Sequence, residues 1–376
     1  MPGNSFGSIF RLTTYGESHG PGLGGIVDGC PAGLTLSEED IQTELDARRP
    51  GAGGRGGKAG TARNEPDRVR ILSGVFDGVT TGTPIAFHVD NTDQRSRDYG
   101  ELGRLFRPGH ADLGFQAKFG IRDYRGGGRS SGRETLSRVA GGAIAGKYLA
   151  SQGILVHACA LEVGGVAAPL DDIESAGSRP WFCPDACTAE QWDALSVQAR
   201  KQGDTLGGLV RVEILGLPVG LGEPVFDKLD ARLAYAMMGV GAVKGVEIGR
   251  GFAAARLMGT ENNDPILPGR EAGGPAGIAA TGALSGGVAY GFGSNNAGGI
   301  LGGISNGAPV VVTVAIKPIA SISREQQTID CDGRPAQVAV GGRHDICAIP
   351  RVVPVLKAMA ALCAADFLLL QRSARV

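Results

Sequence analysis

Five histidines occur in the 376-residue chain, and their surroundings separate them by the chemistry they could do. His88 (IAFHVD) and His157 (LVHACA) sit in apolar, strand-like runs and read as structural. His19 (GESHGPGLGG), His110 (RPGHAD) and His344 (GGRHD) each lie in a short polar segment containing glycine. A ring on such a turn can face a cleft and exchange a proton near neutral pH. The strongest local signal is RDYRGGGRSSGRE at 122–134. Gly126, Gly127 and Gly128 let backbone N–H groups turn toward one point, and Ser131 opens a helix whose positive end faces the same way. Arg122, Arg125, Arg129 and Arg133 surround that turn. The pattern reads as an anion site; the plainer alternative is a glycine turn with solvated arginines. Two further loops, 292–307 (FGSNNAGGILGGISNG) and 317–323 (KPIASIS), offer small residues and amides. Such groups suit a flat polar ring or a phosphate tail held by backbone.

Charge narrows the ligand class. From Arg48 to Arg138 there are 15 Arg and 2 Lys against 10 Asp plus Glu, a local balance of +7 in a chain of net −1. Arg outnumbers Lys 29 to 8 overall, and Arg is the side chain for bidentate capture of carboxylate and phosphate. A small polyanion is therefore the expected ligand, while the near-neutral whole argues against a polyelectrolyte partner. An RGG-like nucleic-acid surface is a competing reading. Against it, only 5% of residues are aromatic and none interleave the Arg clusters to stack on bases. The 63 glycines have no Gly-X-Y period, which excludes collagen and marks tight turns and close backbone approaches. Seven cysteines lack paired spacing, and Cys183 with Cys187 is an isolated C-x3-C, so neither a disulfide framework nor a metal is expected. The first 20 residues have no basic segment followed by an apolar one, as a secretory signal would. Val352 to Leu370, the longest apolar stretch, is interrupted by Lys357 and Asp366 and reads as a buried helix, not a membrane span. A soluble, cytoplasmic protein with no membrane partner is expected.

Several elements must position these groups. Ser37-Glu-Glu-Asp40 resembles a capping box for a helix that Pro50-Gly51 stops. A second helix is expected from Ser131 with Glu134 at its third position, and others over Thr188–Gln202, Pro224–Met238 and Pro354–Arg372. Val69–Ser73, Ile85–Val89, Ile154–Leu161, Leu209–Leu215 and Val310–Ile316 read as strands. Helices and strands do not alternate strictly, which favours α+β over a doubly wound sheet. Residues 51–63 form a flexible basic loop, too polar to pack.

The motifs then reach a family. GESHG at 16–20, RPGHAD at 107–112, YRGGGRSSGRET at 124–135, NNAGGILGGISNG at 295–307 and GRHDIC at 342–347 together resemble chorismate synthase. TTGTPIA at 80–86, NTDQRS at 91–96, GLGEPVFDKLDA at 220–231 and AVKGVEIG at 242–249 are similar to the same family, so the resemblance spans nearly the whole chain as a single domain, 1–376. It implies a phosphate lyase of the shikimate pathway. Such an enzyme converts 5-enolpyruvylshikimate 3-phosphate to chorismate by 1,4-anti elimination and requires reduced FMN without net redox change. The substrate's two carboxylates and phosphate match the Arg-rich stretch. The fold implied is a β-α-β sandwich, with long helices between antiparallel sheet layers, assembled as a homotetramer.

Carried over by motif, the resemblance implies that His19 stands near the departing phosphate as acid. His110 would protonate or hydrogen-bond the reduced flavin, and Asp345 would be the base that removes the ring proton together with the flavin N5. His344 is then structural or supporting. Arg48, Arg49, Arg107, Arg133 and Arg343 would hold substrate anions. FMN contacts would come from Arg129, Ser130, Ser131, Gly241, Ala242, Gly302, Lys317, Pro318, Ile319, Ala320, Ser321 and Arg343. If the chain reduces its own flavin, NADPH would be the reductant, held by Arg48 and Arg55. A flavin reductase as the main activity is the alternative, although nothing resembles a dedicated nicotinamide site. The chain departs from the family pattern at Gly241, where Asn is common, and at Ile346, where Pro is usual and whose absence should loosen the turn beside Asp345. Pro265 to Gly286 reads as an insertion of small residues forming a flexible lid.

Overall fold

The computed structural model describes residues 3–49, 60, 67–91, 101–268, 278–283, 289–340 and 344–374. Arg55, Arg343 and nearly all of the 51–63 loop lie outside the described residues.

Two five-stranded antiparallel sheets enclose a layer of helices. The first sheet is built from Ser5–Phe6 (β1), Arg11–Gly16 (β2), Gly22–Asp28 (β3), Val69–Ile71 (β4) and Ile85–Asp90 (β7), in the order β1-β2-β3-β7-β4. Val75–Phe76 (β5) and Val79–Thr80 (β6) pair as a hairpin. The second sheet takes Leu155–Val163 (β8), Val166–Ala167 (β9), Gly208–Leu215 (β10), Val243–Ile248 (β11) and Val310–Ile316 (β17), in the order β11-β17-β10-β8-β9. Between the sheets lie helices Glu38–Arg48 (α1), Thr135–Ser151 (α3) and Ile349–Leu370 (α7): α3 packs on β2, β3 and α7, and α7 packs on β8 and β10. This is the sheet–helix–sheet layering expected of the α+β class.

The α3–α7 contact explains a pair of helical glycines. A Cβ on Gly141 would stand 2.9 Å from both δ-carbons of Leu12 in the first sheet, and one on Gly142 would collide with Ala358 of α7. Small residues on both sides of α3 thus set how closely the layers approach. The segment Ile349–Ser373 is long and apolar enough to cross a membrane, but 89% of its most apolar window is buried inside the fold. Its one buried carboxylate is satisfied: Asp366 accepts backbone N–H bonds from Ser8 (2.8 Å), Ile9 (2.7 Å) and Phe10 (3.0 Å), tying the first sheet's edge to the central helix.

Several boundaries differ from expectation. Ser37 does cap α1 through a capping box with Asp40. Ser131, however, caps a single 3₁₀ turn, Gly132–Glu134, and α3 begins only at Thr135. Glu134 does not reach back to Ser131; it bonds Thr14 and Arg138 instead. The fourth helix (α4) is Ala186–Lys201, capped by Asp185, which accepts from the Thr188 N–H. The fifth (α5) covers only Leu229–Met238, and α7 starts at Ile349 with Pro354 inside it; the short helices Asp112–Phe119 (α2) and Gly259–Asn262 (α6) complete the numbering. Strand β3 was hidden by its glycines, which are there because neighbours lie across them: a Cβ on Gly25 would meet the Phe87 ring at 2.7 Å. The stretch read as a lid contains strands Ile266–Pro268 (β12) and Ile278–Ala283 (β13), both paired to Ala289–Phe292 (β14) in a three-stranded sheet.

Candidate active site

A cavity of about 660 Å³ opens between the N-terminal end of α3 and the loops at the start of α7. Seven stretches of chain line it: Ser18–His19, Arg48, 107–115, 126–138, the segments 239–242 and 317–321 that flank second-sheet strands, and 344–355 at the start of α7. Six basic side chains, Arg48, Arg107, Arg129, Arg138, Lys317 and Arg351, face it against two carboxylates, Glu134 and Asp345. That excess of positive charge in a concave site suits a polyanionic ligand.

The glycine turn works through close approach. Gly126, Gly127 and Gly128 all have positive φ (67°, 85° and 52°), the region that glycine enters without steric penalty. A Cβ on Gly126 would stand 2.5 Å from Cε1 of His19, so the missing side chain is what seats the His19 ring against the turn. The four arginines of this segment are not open cations, however. Arg122 donates to the Gly103 and Leu105 carbonyls (2.9 and 2.8 Å). Exposed Arg125 pairs with Asp123, and Arg129 donates to Gly16 O (3.0 Å) and Thr14 Oγ1 (2.7 Å). Arg133 donates to Asn91 Oδ1 (2.7 Å) and Asp67 Oδ1 (2.9 Å).

Arg48 is fully buried; it donates to Thr135 Oγ1 (3.0 Å) and Gly132 O (2.8 Å), with its Nη1 3.7 Å from Asp67 Oδ2. Arg107 forms a two-pronged pair with Asp112, Nε–Oδ2 at 2.7 Å and Nη2–Oδ1 at 2.8 Å. Burial works against that carboxylate, but the Arg107 side chain and backbone N–H together hold Asp112 below its usual range. Behind the turn, the arginines are thus an interlocked frame.

Another part of the lining is built around His110 and Asp345. His110 Nδ1 lies 3.0 Å from the Pro108 carbonyl and Nε2 lies 3.0 Å from Ser321 Oγ. A carbonyl only accepts, so Nδ1 carries the proton. Burial first, and the Arg107 guanidinium second, push the ring below the ordinary imidazole value and keep it neutral near pH 7. The 317–321 segment is pinned by Lys317 N–H to Ala242 O (2.9 Å) and by Thr205 Oγ1 donating to Ile319 O (2.7 Å). Gly109 fits against Ala320, where a Cβ would come within 2.7 Å. Ala242 itself holds a left-handed φ of 74°, a conformation unfavourable for a residue with a side chain, beside a bulge in β11. Asp345 is nearly buried and accepts from Arg351 Nη1 at 3.0 Å. At Ile346, where the family pattern has Pro, the carbonyl accepts from Leu206 N–H (2.8 Å) and the side chain packs on the core.

The cavity thus brings together His19, His110, Asp345, Arg48, Arg107, Arg129, Ser130, Ser131, Gly241, Ala242 and Lys317 to Ser321. His344 lines it as well. It does not include Arg49, which pairs with Asp46 (3.2 Å), or Arg133. Gly302, in the turn between Ile300–Leu301 (β15) and Ile304–Ser305 (β16), also lies outside it. Arg55 and Arg343 lie outside the described residues. Sequence reasoning missed Ser18, Glu134, Arg138 and Arg351 as lining groups. The helix expected from the sequence begins at Pro354, which leaves Arg351 outside it; the structure puts Arg351 in the first turn of α7, six residues beyond Asp345.

A family model described as chorismate synthase matches residues 10–369. A chorismate synthase of Nitratidesulfovibrio vulgaris (strain Miyazaki F) is 63% identical over 372 residues, 99% of each chain. One from Desulfatibacillum aliphaticivorans is 53% identical over 375 residues, covering 100% of this chain and 98% of that one. A solved crystal structure of chorismate synthase superposes with a TM-score of 0.74 at 33% identity, covering 98% of this chain and 94% of that chain.

Proposed function

The chain belongs to the chorismate synthase family, and from that premise we propose that the 660 Å³ cavity eliminates phosphate from 5-enolpyruvylshikimate 3-phosphate to yield chorismate, with Asp345 as base and reduced FMN held along the same walls. The observation that carries the reading is convergence: three histidines, a nearly buried carboxylate and a basic frame meet at one cavity from distant parts of the chain.

The donor set fits a flavin mononucleotide. The 126–131 turn with its Ser130 and Ser131 hydroxyls, the ammonium of Lys317 and the bare backbone at Gly241 suit a phosphate-bearing planar ring. When bound, the reduced flavin lends electron density transiently to the allylic system. The chain supplies the rest. Arg48 and Arg107 set the positive potential that meets the substrate's anionic groups and the charge developing on the leaving phosphate. In this reading His19, which lines the cavity beside the glycine turn, donates a proton to that phosphate. Asp345 takes the ring proton as the C–H and C–O bonds break and a new double bond forms, so atoms and electrons balance without net redox change. His110, neutral with its proton on Nδ1, presents Nε2 and the Ser321 hydroxyl to the cofactor side.

Exposed Phe226, Phe252, Val225 and Met258, at 69–92% of full exposure, are apolar groups that an assembly would cover, and the homotetramer is the one that the family resemblance implies. The burial of α7 weighs against its being a membrane span, and a cytoplasmic location is part of the same proposal. The internal pairing of Arg122, Arg129 and Arg133 weighs against a nucleic-acid surface. A flavin reductase as the main activity is not favoured, and NADPH enters only if the chain reduces its own cofactor.

The test mixes the protein anaerobically with chemically reduced FMN and 5-enolpyruvylshikimate 3-phosphate. Chorismate absorbance and free phosphate should rise together, fail without reduced flavin, and slow by about 10³-fold in Asp345→Asn. Folded, FMN-binding protein that releases neither product would sink the assignment.

A further inference from the structure

Asp345 must be correctly turned if it is to take a proton, and Arg351 is placed to hold that orientation. Arg351 Nη1 lies 3.0 Å from Asp345 Oδ2, and both residues line the cavity. Engaging one carboxylate oxygen fixes the plane in which the other presents its lone pairs. The guanidinium has a rigid base, because Arg351 occupies the third position of α7, the most deeply buried helix, and its N–H bonds Ala348 O at 3.0 Å. The carboxylate's own segment is held from the other side by the Leu206–Ile346 hydrogen bond.

Helix stability does not account for an arginine at this position. The amino end of a helix carries partial positive charge, so a cation in the first turn is locally unfavourable, and α7 has no acidic residue there to offset it. The partner that does offset it is Asp345, outside the helix and in the cavity. We infer that Arg351 is a positioning residue for the elimination, holding the Asp345 carboxylate in the orientation from which it takes the ring proton, and not a clamp for substrate anions. The inference rests on the reading of Asp345 as the base.

The experiment uses the full chain with reduced FMN and compares Arg351→Met, Arg351→Lys, Asp345→Asn and the Arg351→Met/Asp345→Asn double variant. Substrate is supplied unlabelled and deuterated at the ring carbon that loses its proton. Arg351→Met should lower kcat about 10- to 100-fold with KM within about threefold, because misplacing a reacting group by about 1 Å costs on that order. The deuterium isotope effect on kcat should rise, Arg351→Lys or added guanidinium should restore part of the rate, and the double variant should be no slower than Asp345→Asn alone. A raised KM with unchanged kcat would make Arg351 a substrate clamp and overturn the inference. Loss of kcat with an unchanged isotope effect and no rescue would also overturn it, leaving a merely structural role. An inactive Asp345→Asn beside a fully active Arg351→Met sinks this inference alone, whereas a fully active Asp345→Asn sinks the base assignment beneath it.

Discussion

The two walls of the cavity use charge in opposite ways. On the wall formed by Arg48, Arg107 and residues 126–138, guanidinium groups are held by Asp67, Asp112, Thr14 and backbone carbonyls. On the wall formed by 239–242, 317–321 and 344–351, charged groups are few, and the contacts run through His110–Ser321 and Asp345–Arg351. The first wall is a frame of internally bonded guanidinium groups with His19 seated against its glycine turn, and the second carries the His110–Ser321 and Asp345–Arg351 contacts. A site that must stabilise developing negative charge gains most from dipoles and charges that need no reorganisation, and a frame of already-bonded arginines meets that condition.

Arg48→Met is the largest test of that division on the stability side. Arg48 is fully buried beside an equally buried Asp67, so its removal leaves Arg133 as the remaining arginine on that carboxylate and should cost about 3 kcal/mol in urea unfolding. Lys317→Met, on the second wall, should cost less than about 1 kcal/mol, since its partner is one backbone carbonyl in an exposed contact. Equal losses at both sites would erase the distinction.

Gly126→Ala probes the same frame through its backbone. The residue sits at φ 67° and its new methyl would press on the His19 ring. The conformational cost is about 1–2 kcal/mol, and kcat should fall together with stability because His19 must move. Unchanged kinetics would separate His19 from the turn.

On the second wall the corresponding handle is pH. The folded-state pKa of His110 lies below its ordinary value, so the unfolded chain binds more protons as pH falls through about 6.5. Stability that the neutral ring contributes is present above that pH and is lost below it, until the folded-state ring itself protonates. The difference in thermal midpoint between the native chain and His110→Asn should therefore shrink or reverse as pH drops below 6.5. A difference that stays constant with pH would remove the burial argument.

Much of this was readable before any coordinates, for a physical reason. Capping at Ser37–Asp40, the glycine turn at 126–128 and the segments carrying His19, His110 and Asp345 are local patterns, complete within a few residues. What was not readable is where an arginine fork ends. Arg133 bonds Asn91 and Asp67, 42 and 66 residues away, so a cluster that reads as an open anion cage is closed on itself by tertiary contacts. The same holds for β3, whose glycines exist to admit Tyr15 and Phe87 from neighbouring strands, and for the Asp345–Arg351 pair, visible only once α7 is placed. Short-range chemistry shows in composition, and long-range pairing does not.

Gly241 is the finest discriminator between the walls. It lines the cavity, a Cβ there would meet nothing within 4 Å, and its φ is not in the left-handed region that glycine alone favours. Neither sterics nor backbone geometry therefore requires glycine, in contrast to Gly126. The neighbouring strain sits on Ala242, held by the Lys317 N–H bond, and is untouched by a side chain one residue earlier. Gly241→Asn, which installs the residue expected from the family resemblance, should fold normally and gain one amide contact to a bound flavin. A single added hydrogen bond is worth about 0.5–1.5 kcal/mol, so FMN affinity measured by fluorescence titration should tighten by roughly two- to tenfold. Weaker binding in a fully folded variant would mean that the second wall needs the open backbone itself, which would make it as rigidly specified as the first.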